Sequence, residues 1–117
     1  NQFVYLMGWQ ENPYPLMKKM DAYILPSRYE GFPNSLIEAL SLGLPSIASR
    51  SPGANEEIML NGLNGLTFEN ESASDLRNQI ISMQENRSSF DSLEIIADIK
   101  ERYHIEKIAN QYVEALK

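Results

Sequence analysis

The 117-residue sequence contains no cysteine and a single histidine, His104. Without cysteine there is no disulfide framework, no thiolate metal site and no cysteine nucleophile. One histidine also excludes a metal site built from several histidines. A chain of this length can bury roughly two thirds of its unfolded surface. We therefore expect a single domain that folds without disulfides or a structural metal.

Basic residues and long apolar runs are scarce as well. Ten Lys and Arg stand against sixteen Asp and Glu, which gives a net charge of -6, and no basic run exceeds Lys18-Lys19. The electrostatic footprint of a nucleic-acid-binding protein is therefore missing. No apolar stretch approaches the ~20 residues that a membrane-spanning helix needs. Asn1 opens into a strand-like run instead of a signal peptide, and the absence of an initiator Met suggests a fragment.

Three ligand-binding motifs are absent too. The chain has neither Gly-x-Gly-x-x-Gly nor Gly-x4-Gly-Lys-Ser/Thr, which disfavours NAD binding and ATP hydrolysis. It has no Asp-x-Asp, the carboxylate pair that carries a divalent metal in metal-dependent sugar transfer. We therefore expect neither a cofactor nor a metal, and any bound diphosphate would be neutralised by backbone dipoles and cations.

Short apolar runs alternate with helical patterns along most of the chain. The runs predict buried strands at residues 3–7, 22–25, 45–48 and 66–68. The 3.6-residue periodicity predicts helices at residues 13–20, 35–42, 55–60, 73–85, 92–102 and 105–116. This alternation indicates an α/β, Rossmann-like three-layer domain with a parallel sheet and right-handed crossovers. Four strands make a thin nucleotide-binding sheet, so we expect further strands upstream of Asn1.

The segment 26–38 carries the most chemical information. It joins a predicted strand to a predicted helix and holds two carboxylates, Glu30 in the loop and Glu38 one turn inside the helix. We expect the helix to begin with free N–H groups at residues 35–37, and a helix N-terminus is an anion site. Carboxylates repel phosphate, so here they would accept hydrogen bonds from neutral hydroxyls at either end of a diphosphate. The pattern predicts a nucleotide-sugar site.

Plainer interpretations of the same residues stay open. Ser35-x-x-Glu38 is also a capping box, in which the Glu38 side chain returns to the Ser35 N–H. Glu30 has the usual fate of a loop acid, exposure to solvent, as its alternative. Arg28 could reach a phosphate or pair with Glu30 on the surface. Trp9 follows a predicted strand end, at the edge where open α/β sheets bind ligands.

One set of residues occurs in an order and spacing that resembles a known family. It comprises Pro26-Ser27, Glu30-Gly31-Phe32-Pro33-Asn34, Glu38-Ala39, Gly43-x-Pro45, Ile47-Ala48, Gly53, Glu56 and Asn64-Gly65-Leu66. The set resembles the C-terminal domain of retaining glycosyltransferases of the GT-B fold, the large group four. The resemblance is close over residues 1–70, and beyond them it extends only to the helical character of the chain. Residues 1–117 would then be a nucleotide-sugar-binding domain, half of a GT-B fold, truncated at its N-terminal side.

The resemblance implies roles for individual residues. Its Glu-x7-Glu signature would be Glu30, the catalytic position that contacts donor-sugar hydroxyls, and Glu38, which would hold the ribose. The other donor-binding residues that it implies are Gly31 and Phe32, through their backbone, Asn34, and the amides of Ser35 and Leu36, with Trp9 and Arg28 as candidate pocket residues. Pro52 and Asn55 stand where the family often has Gly and Pro, so the loop before Glu56 is expected to be shaped differently.

The resemblance also implies a reaction. A hexosyl group would pass with retention, and without metal, from a nucleotide-diphosphate sugar, a UDP-sugar by family habit, to a glycan or lipid-linked acceptor in bacterial lipopolysaccharide or capsule synthesis. The family's N-terminal acceptor domain is not in these residues, so the isolated piece would be inactive. We expect it to be cytoplasmic, with any contact to the inner face of the membrane made by the missing part. The alternatives are a nucleotide-sugar epimerase or phosphorylase of the same fold and a non-catalytic nucleotide-binding or structural module.

Overall fold

The computed structural model describes residues 4–29, 31–51, 53 and 55–103. Within them the strands are β1 (Tyr23–Leu25), β2 (Ser46–Ser49) and β3 (Gly65–Phe68). The helices are α1 (Tyr14–Met17), α2 (Asn34–Ser41), α3 (Asn55–Ile58), α4 (Ala73–Glu85) and α5 (Ser92–Tyr103), with a 3-10 turn at Arg87–Ser89 between the last two. The strands form one parallel sheet in the order β1-β2-β3. The α/β class and the parallel sheet are confirmed.

Helices cover both faces of the sheet. The register pairs Ile24 with Ile47 and Leu25 with Ala48, and successive strand residues face opposite sides. Tyr23 reaches α2 through its hydroxyl, so α2 and the α5 helix packed on it lie on that face. Ile24 and Ile47 share a groove with residues of α4, which places α4 on the other face. The arrangement is the three-layer sandwich that the alternation of elements predicts.

The core lies between the sheet and these helices. Ile95 and Ile99 of α5 are fully buried, and they pack in the same cluster as Leu36 and Leu40 of α2. The remaining buried members of the cluster are Leu25, Ile37, Ile47, Ala48, Ile58, Met59, Phe68, Met83 and Phe90. Burial of an aliphatic side chain contributes about 1.5 to 3 kcal/mol. The apolar stripes of α2 and α5 therefore fix the helix that follows β1 against the sheet.

Helix α2 ends as its sequence predicts. Gly43 has φ +79°, and its N–H donates to Leu40 O while the N–H of Leu44 donates to Ala39 O. This pair of bonds is the Schellman motif, which needs a left-handed residue after the helix. A Cβ at Gly43 would also lie 2.9 Å from the Ser92 Cβ. The glycine thus permits both the turn and the close approach of α5.

Helix α3 is held by an arginine from the far end of the chain. The Arg102 guanidinium donates to Glu57 O at 3.1 Å and to Ile58 O at 2.8 Å, at the carboxyl end of α3. Asp98, one turn earlier in α5, holds the same guanidinium at 2.7 Å and is largely buried. These bonds satisfy carbonyls that a helix end leaves without intrahelical partners.

The predicted strand at residues 3–7 is wrong in its described part. Residues 4–7 form no strand, and their side chains are exposed, Leu6 to 95 %. The prediction fails because a strand needs a neighbour for its backbone groups, and β1 pairs with β2 alone among the described strands. Helix 13–20 is shorter than predicted, at Tyr14–Met17. Phe3, His104 and the predicted helix 105–116 lie outside the described residues.

Candidate functional site

The loop after β1 and the start of α2 form the candidate site. Parallel strands end at one edge of their sheet, and open α/β sheets bind ligands beyond that edge. Gly31 and Phe32 belong to this loop, Asn34 is the first residue of α2, and Ser35 and Glu38 lie in its first turns, all with exposed surface. Glu30, the residue predicted to be catalytic, lies outside the described residues. The structure thus places the other predicted donor-binding residues on one short segment.

The capping-box interpretation of Ser35 and Glu38 is wrong. Helix α2 begins at Asn34 with Pro33 as its N-cap residue, and no side chain caps it. Ser35 therefore stands inside the first turn, two positions after the N-cap residue. The expectation of free amides is also corrected, because Leu36 and Ile37 both donate to Pro33 O, at 3.1 and 3.2 Å. Of the three amides that were expected to be free, those of Leu36 and Ile37 are therefore engaged within the helix, and a diphosphate contact would be made by an amide before Leu36.

Two tyrosines engage the residues that the capping box would have joined. The Tyr23 hydroxyl, from β1, donates to Ser35 Oγ at 2.8 Å, which leaves the Ser35 proton available to an acceptor such as a phosphate oxygen. The Tyr14 hydroxyl, from α1, donates to the Glu38 carboxylate. Burial, followed by the negative charge of Glu38 and this hydrogen bond, raises the pKa of Tyr14. Neither tyrosine belongs to a sequence motif, so neither was predicted as a site residue.

The other predicted pocket residues have different surroundings. The Phe32 ring meets the Tyr103 ring of α5 edge-on, with centroids 6.5 Å apart, so loop packing accounts for part of its surface. Arg28 pairs with Glu71 at 3.4 Å, but both side chains are largely exposed, and such a pair contributes little. Trp9 is 85 % exposed in the irregular segment before α1. No described contact brings Trp9 to the start of α2.

A basic and an acidic residue meet beside the carboxyl ends of β2 and β3. Arg50 Nη2 lies 3.7 Å from Asp75 Oδ2, and Arg50 Nη1 donates to Thr67 Oγ1 at 3.3 Å. The backbone N–H of Glu69 donates to Asp75 at 2.6 Å. This bond, with smaller contributions from Gln79 and Arg50, lowers the pKa of Asp75.

Two kinds of feature are absent from the described residues. No group of three or more His, Asp or Glu side chains is arranged there to hold a metal ion. No helix among them is long and apolar enough to cross a bilayer. An apolar groove of about 360 Å³, lined by Ile24, Ile47, Ile80 and Met83 among others, lies on the α4 face. Asp21 and Ala22, which precede β1, also line it, so the groove is away from the candidate site.

The family of the chain follows from comparison with known proteins. The sequence model of the family described as "Glycosyl transferases group 1" matches residues 1–86. The chain belongs to the group 1 glycosyltransferases. The match includes β1, α2, β2, α3 and β3, and therefore the whole candidate site. The resemblance that the sequence motifs carried is confirmed.

Individual relatives agree with the family. A lipopolysaccharide 1,6-galactosyltransferase of Salmonella typhimurium is 38 % identical over 68 residues, 55 % of this chain and 19 % of that protein. An Escherichia coli UDP-Gal:alpha-D-GlcNAc-diphosphoundecaprenol alpha-1,3-galactosyltransferase is 42 % identical over 50 residues, 43 % of this chain and 13 % of that protein. The chain thus spans less than a fifth of either relative.

A solved structure supports the fold assignment. The apo form of lipopolysaccharide outer core galactosyltransferase WaaB superposes with a TM-score of 0.78 and 27 % identity, over 87 % of this chain and 30 % of that chain. The structural neighbours are GT-B glycosyltransferases. The Rossmann-like assignment and its place in a GT-B fold are confirmed.

Proposed function

We propose that this chain is the donor-binding part of a glycosyltransferase that moves a hexosyl group from a UDP-sugar to a glycan or lipid-linked acceptor. The observation that carries the proposal is the start of α2, where Ser35 and Glu38 lie beyond β1 and outside any capping interaction. Membership in group 1 and the relatives that transfer galactose support it. We propose UDP-galactose as the first donor to test.

In the proposed complex the diphosphate lies at the first turn of α2. The Ser35 N–H and hydroxyl would donate to phosphate oxygens, because a helix N-terminus carries partial positive charge. Glu38, with one oxygen engaged by Tyr14, would accept from a ribose hydroxyl through the other. Gly31 and Phe32 would approach the sugar through their backbone, and Asn34 would line the same segment. Arg28 and Trp9 would flank the pocket.

The proposed reaction is metal-independent and retains the anomeric configuration. The bond between sugar C1 and the diphosphate oxygen breaks with its electron pair going to that oxygen. A bond from C1 to an acceptor hydroxyl oxygen forms on the same face, and the acceptor proton passes to the departing phosphate. Backbone amides and cations stabilise the departing charge. Glu30 would orient the sugar hydroxyls and would not attack C1.

We further propose that this chain binds the donor but does not transfer sugar by itself, since acceptor recognition would belong to another part of a longer protein. Such a protein would work in the cytoplasm, peripheral to the inner face of the membrane. In that longer protein, Glu30→Ala should lower transfer at least about tenfold, because sugar orientation contributes to the rate. Unchanged turnover would refute the role of Glu30.

Donor binding can be tested directly on the chain. An isotope-labelled sample is titrated with UDP and with UDP-galactose while backbone amide shifts are followed by NMR. We expect shifts concentrated at residues 31–38 and about tenfold weaker binding for Glu38→Ala, since a hydrogen bond to a charged group contributes about 1.5 kcal/mol or more. Glu85→Ala, at the exposed last residue of α4, is the matched control. No shift at millimolar ligand, or equal loss in both variants, would contradict the proposal.

A further inference from the structure

The loop after β1 is tied to the ends of both neighbouring strands. Ser49, the last residue of β2 and fully buried, donates through its hydroxyl to Ser27 O at 2.5 Å. Asn70, two residues beyond β3, donates through Nδ2 to Arg28 O at 2.9 Å. Two consecutive carbonyls of the loop are therefore held by side chains 22 and 42 residues later in the chain.

The backbone at or beside each anchor is itself constrained. Asn55, fully buried at the start of α3, donates to Ser49 O at 3.0 Å and to Ser51 Oγ at 3.2 Å. Asn70 precedes Glu71, which has φ +66°, a left-handed conformation that costs a non-glycine residue about 1 to 2 kcal/mol. Asn70 enters this turn with its side chain bonded to Arg28 O. A buried hydrogen bond thus holds the main chain at Ser49, and a left-handed residue follows Asn70 directly.

The anchors determine how the loop presents its backbone. A trans peptide unit is planar, so its N–H points opposite to its C=O. With the carbonyls of Ser27 and Arg28 turned toward Ser49 and Asn70, the N–H groups of Arg28 and Tyr29 point away from these anchors. Tyr29 immediately precedes Glu30 in the sequence. The backbone orientation of residues 27–29 is thus set from outside the loop.

We propose that Ser49 and Asn70 are positioning residues, which fix the peptide planes of residues 27–29 and thereby set the sugar contact of the donor site. The expected effect on sugar binding rests on the proposed function, in which Glu30 orients the hydroxyls of the donor sugar. Among the described residues, the hydrogen bonds of the Ser49 hydroxyl and the Asn70 amide go to the loop after β1 and not to α2, where the UDP moiety would bind. Loss of an anchor should therefore weaken recognition of the sugar and leave recognition of UDP intact.

The test compares two ligands on the same chain. The sugar increment is the Kd for UDP divided by the Kd for UDP-galactose, measured by NMR titration. For Asn70→Ala and Ser49→Ala we expect this increment to fall about five- to tenfold, the effect of one hydrogen bond, while the Kd for UDP changes less than about twofold. Asn78→Ala on exposed α4 and Ser88→Ala in the exposed 3-10 turn are matched controls. An unchanged increment, or equal weakening of both ligands, would overturn the proposal.

A conservative variant separates positioning from stability. Ser49→Thr keeps the hydroxyl but adds a methyl group at a buried site, which should destabilise the fold by overpacking. We expect it to be less stable than Ser49→Ala and to keep more of the sugar increment. If Ser49 had only a structural role, the less stable variant, Ser49→Thr, would instead keep less of the sugar increment than Ser49→Ala. If Ser49→Thr does not fold, Asn70→Ala decides, because Asn70 is only half-buried, whereas Ser49 is fully buried.

The unliganded chain provides a readout that is independent of donor binding. Asn70→Ala should shift the carbonyl carbon resonance of Arg28 and lower the heteronuclear NOE of the Arg28 and Tyr29 amides. If the parent chain binds no UDP-sugar but these changes occur, the proposed function fails, while Asn70 still fixes the loop backbone at Arg28. If the parent chain binds the donor and the loop signals are unchanged in the variant, the positioning role alone is refuted.

Discussion

Gly65 offers the sharpest test of how β3 is seated against β2. Its backbone has φ +154°, and a Cβ built there would lie 1.7 Å from Ser46 O and 2.7 Å from Ser46 C. A carbon and an oxygen normally approach no closer than about 3.3 Å. Gly65→Ala therefore forces the two strands apart by more than an ångström, where Ser46 N donates to Asn64 O at 2.9 Å.

The cost of Gly65→Ala can be estimated from these contacts. A displacement of that size breaks the hydrogen bond from Ser46 to Asn64 and the first bond of the β2–β3 ladder, at about 1 kcal/mol each. The backbone conformation, which suits only glycine, adds about 1 to 3 kcal/mol of strain. We expect a total loss of about 3 to 5 kcal/mol, against a stability of about 5 to 15 kcal/mol for a domain of this kind.

Urea unfolding followed by circular dichroism measures this loss, with Gly62→Ala as the matched control. Gly62 also has positive φ, +87°, but no atom lies within 4 Å of a Cβ built there. Its replacement should cost only the conformational strain, about 1 to 2 kcal/mol. If Gly65→Ala does not fold at all while Gly62→Ala does, the result still agrees with the prediction, as its most severe form. Equal losses for the two variants would show that the close approach of Gly65 to Ser46 is wrong.

Three other predictions concern single interactions. Arg102→Met should lower the free energy of unfolding by about 2 kcal/mol, because two α3 carbonyls and a largely buried Asp98 lose a charged donor. Arg102→Lys keeps the charge but lacks the planar set of donors of the guanidinium, so in urea titrations it should recover only part of the lost stability. Asp75 has a lowered pKa in the folded state, so its ionised carboxylate stabilises the fold above the unfolded pKa near 3.8, and this stabilisation is lost as the pH falls through the folded pKa. Asp75→Asn should therefore reduce the loss of stability at acid pH, and an unchanged loss would contradict this. Glu71→Gly should raise stability by up to about 1 kcal/mol by relieving the left-handed strain, whereas Glu71→Ala should not, and equal urea midpoints would refute the strain.

Local sequence signals predicted the helices well, since helices depend on near neighbours. Helix α4 was predicted at residues 73–85 and is observed there, with Ser72 accepting from the Asp75 N–H as its N-cap. Gly43 was predicted as the left-handed residue after α2 and forms the Schellman turn. Both signals act within one turn of helix. The strands β1, β2 and β3 were predicted within one residue of their observed ends for a related reason, because each is a short apolar run between turn residues.

Strand formation at residues 3–7 could not be judged from the run itself. The same apolar character that marks β2 marks residues 4–7, yet β2 has a neighbour on each side and these residues have none in the described sheet. All four residues of β2 are buried, whereas Val4 is 58 % and Tyr5 is 77 % exposed. An apolar run supplies the burial energy of a strand but not the backbone partner. Whether such a partner strand is present depends on the arrangement of the whole sheet and cannot be judged from the run alone.

The candidate site shows the same division between local and distant information. The sequence indicated which loop would carry the chemistry, but the partners of its residues come from elsewhere: Tyr23 for Ser35, Tyr14 for Glu38 and Asn70 for Arg28. The capping box was the natural interpretation of Ser35 and Glu38 because their spacing is local. Since α2 begins two residues earlier than a capping box at Ser35 would require, neither side chain is bound to the helix backbone as a cap. The capping explanation for an acid at residue 38 is thereby removed, and the Glu38→Ala titration must decide between donor binding and the contact with Tyr14.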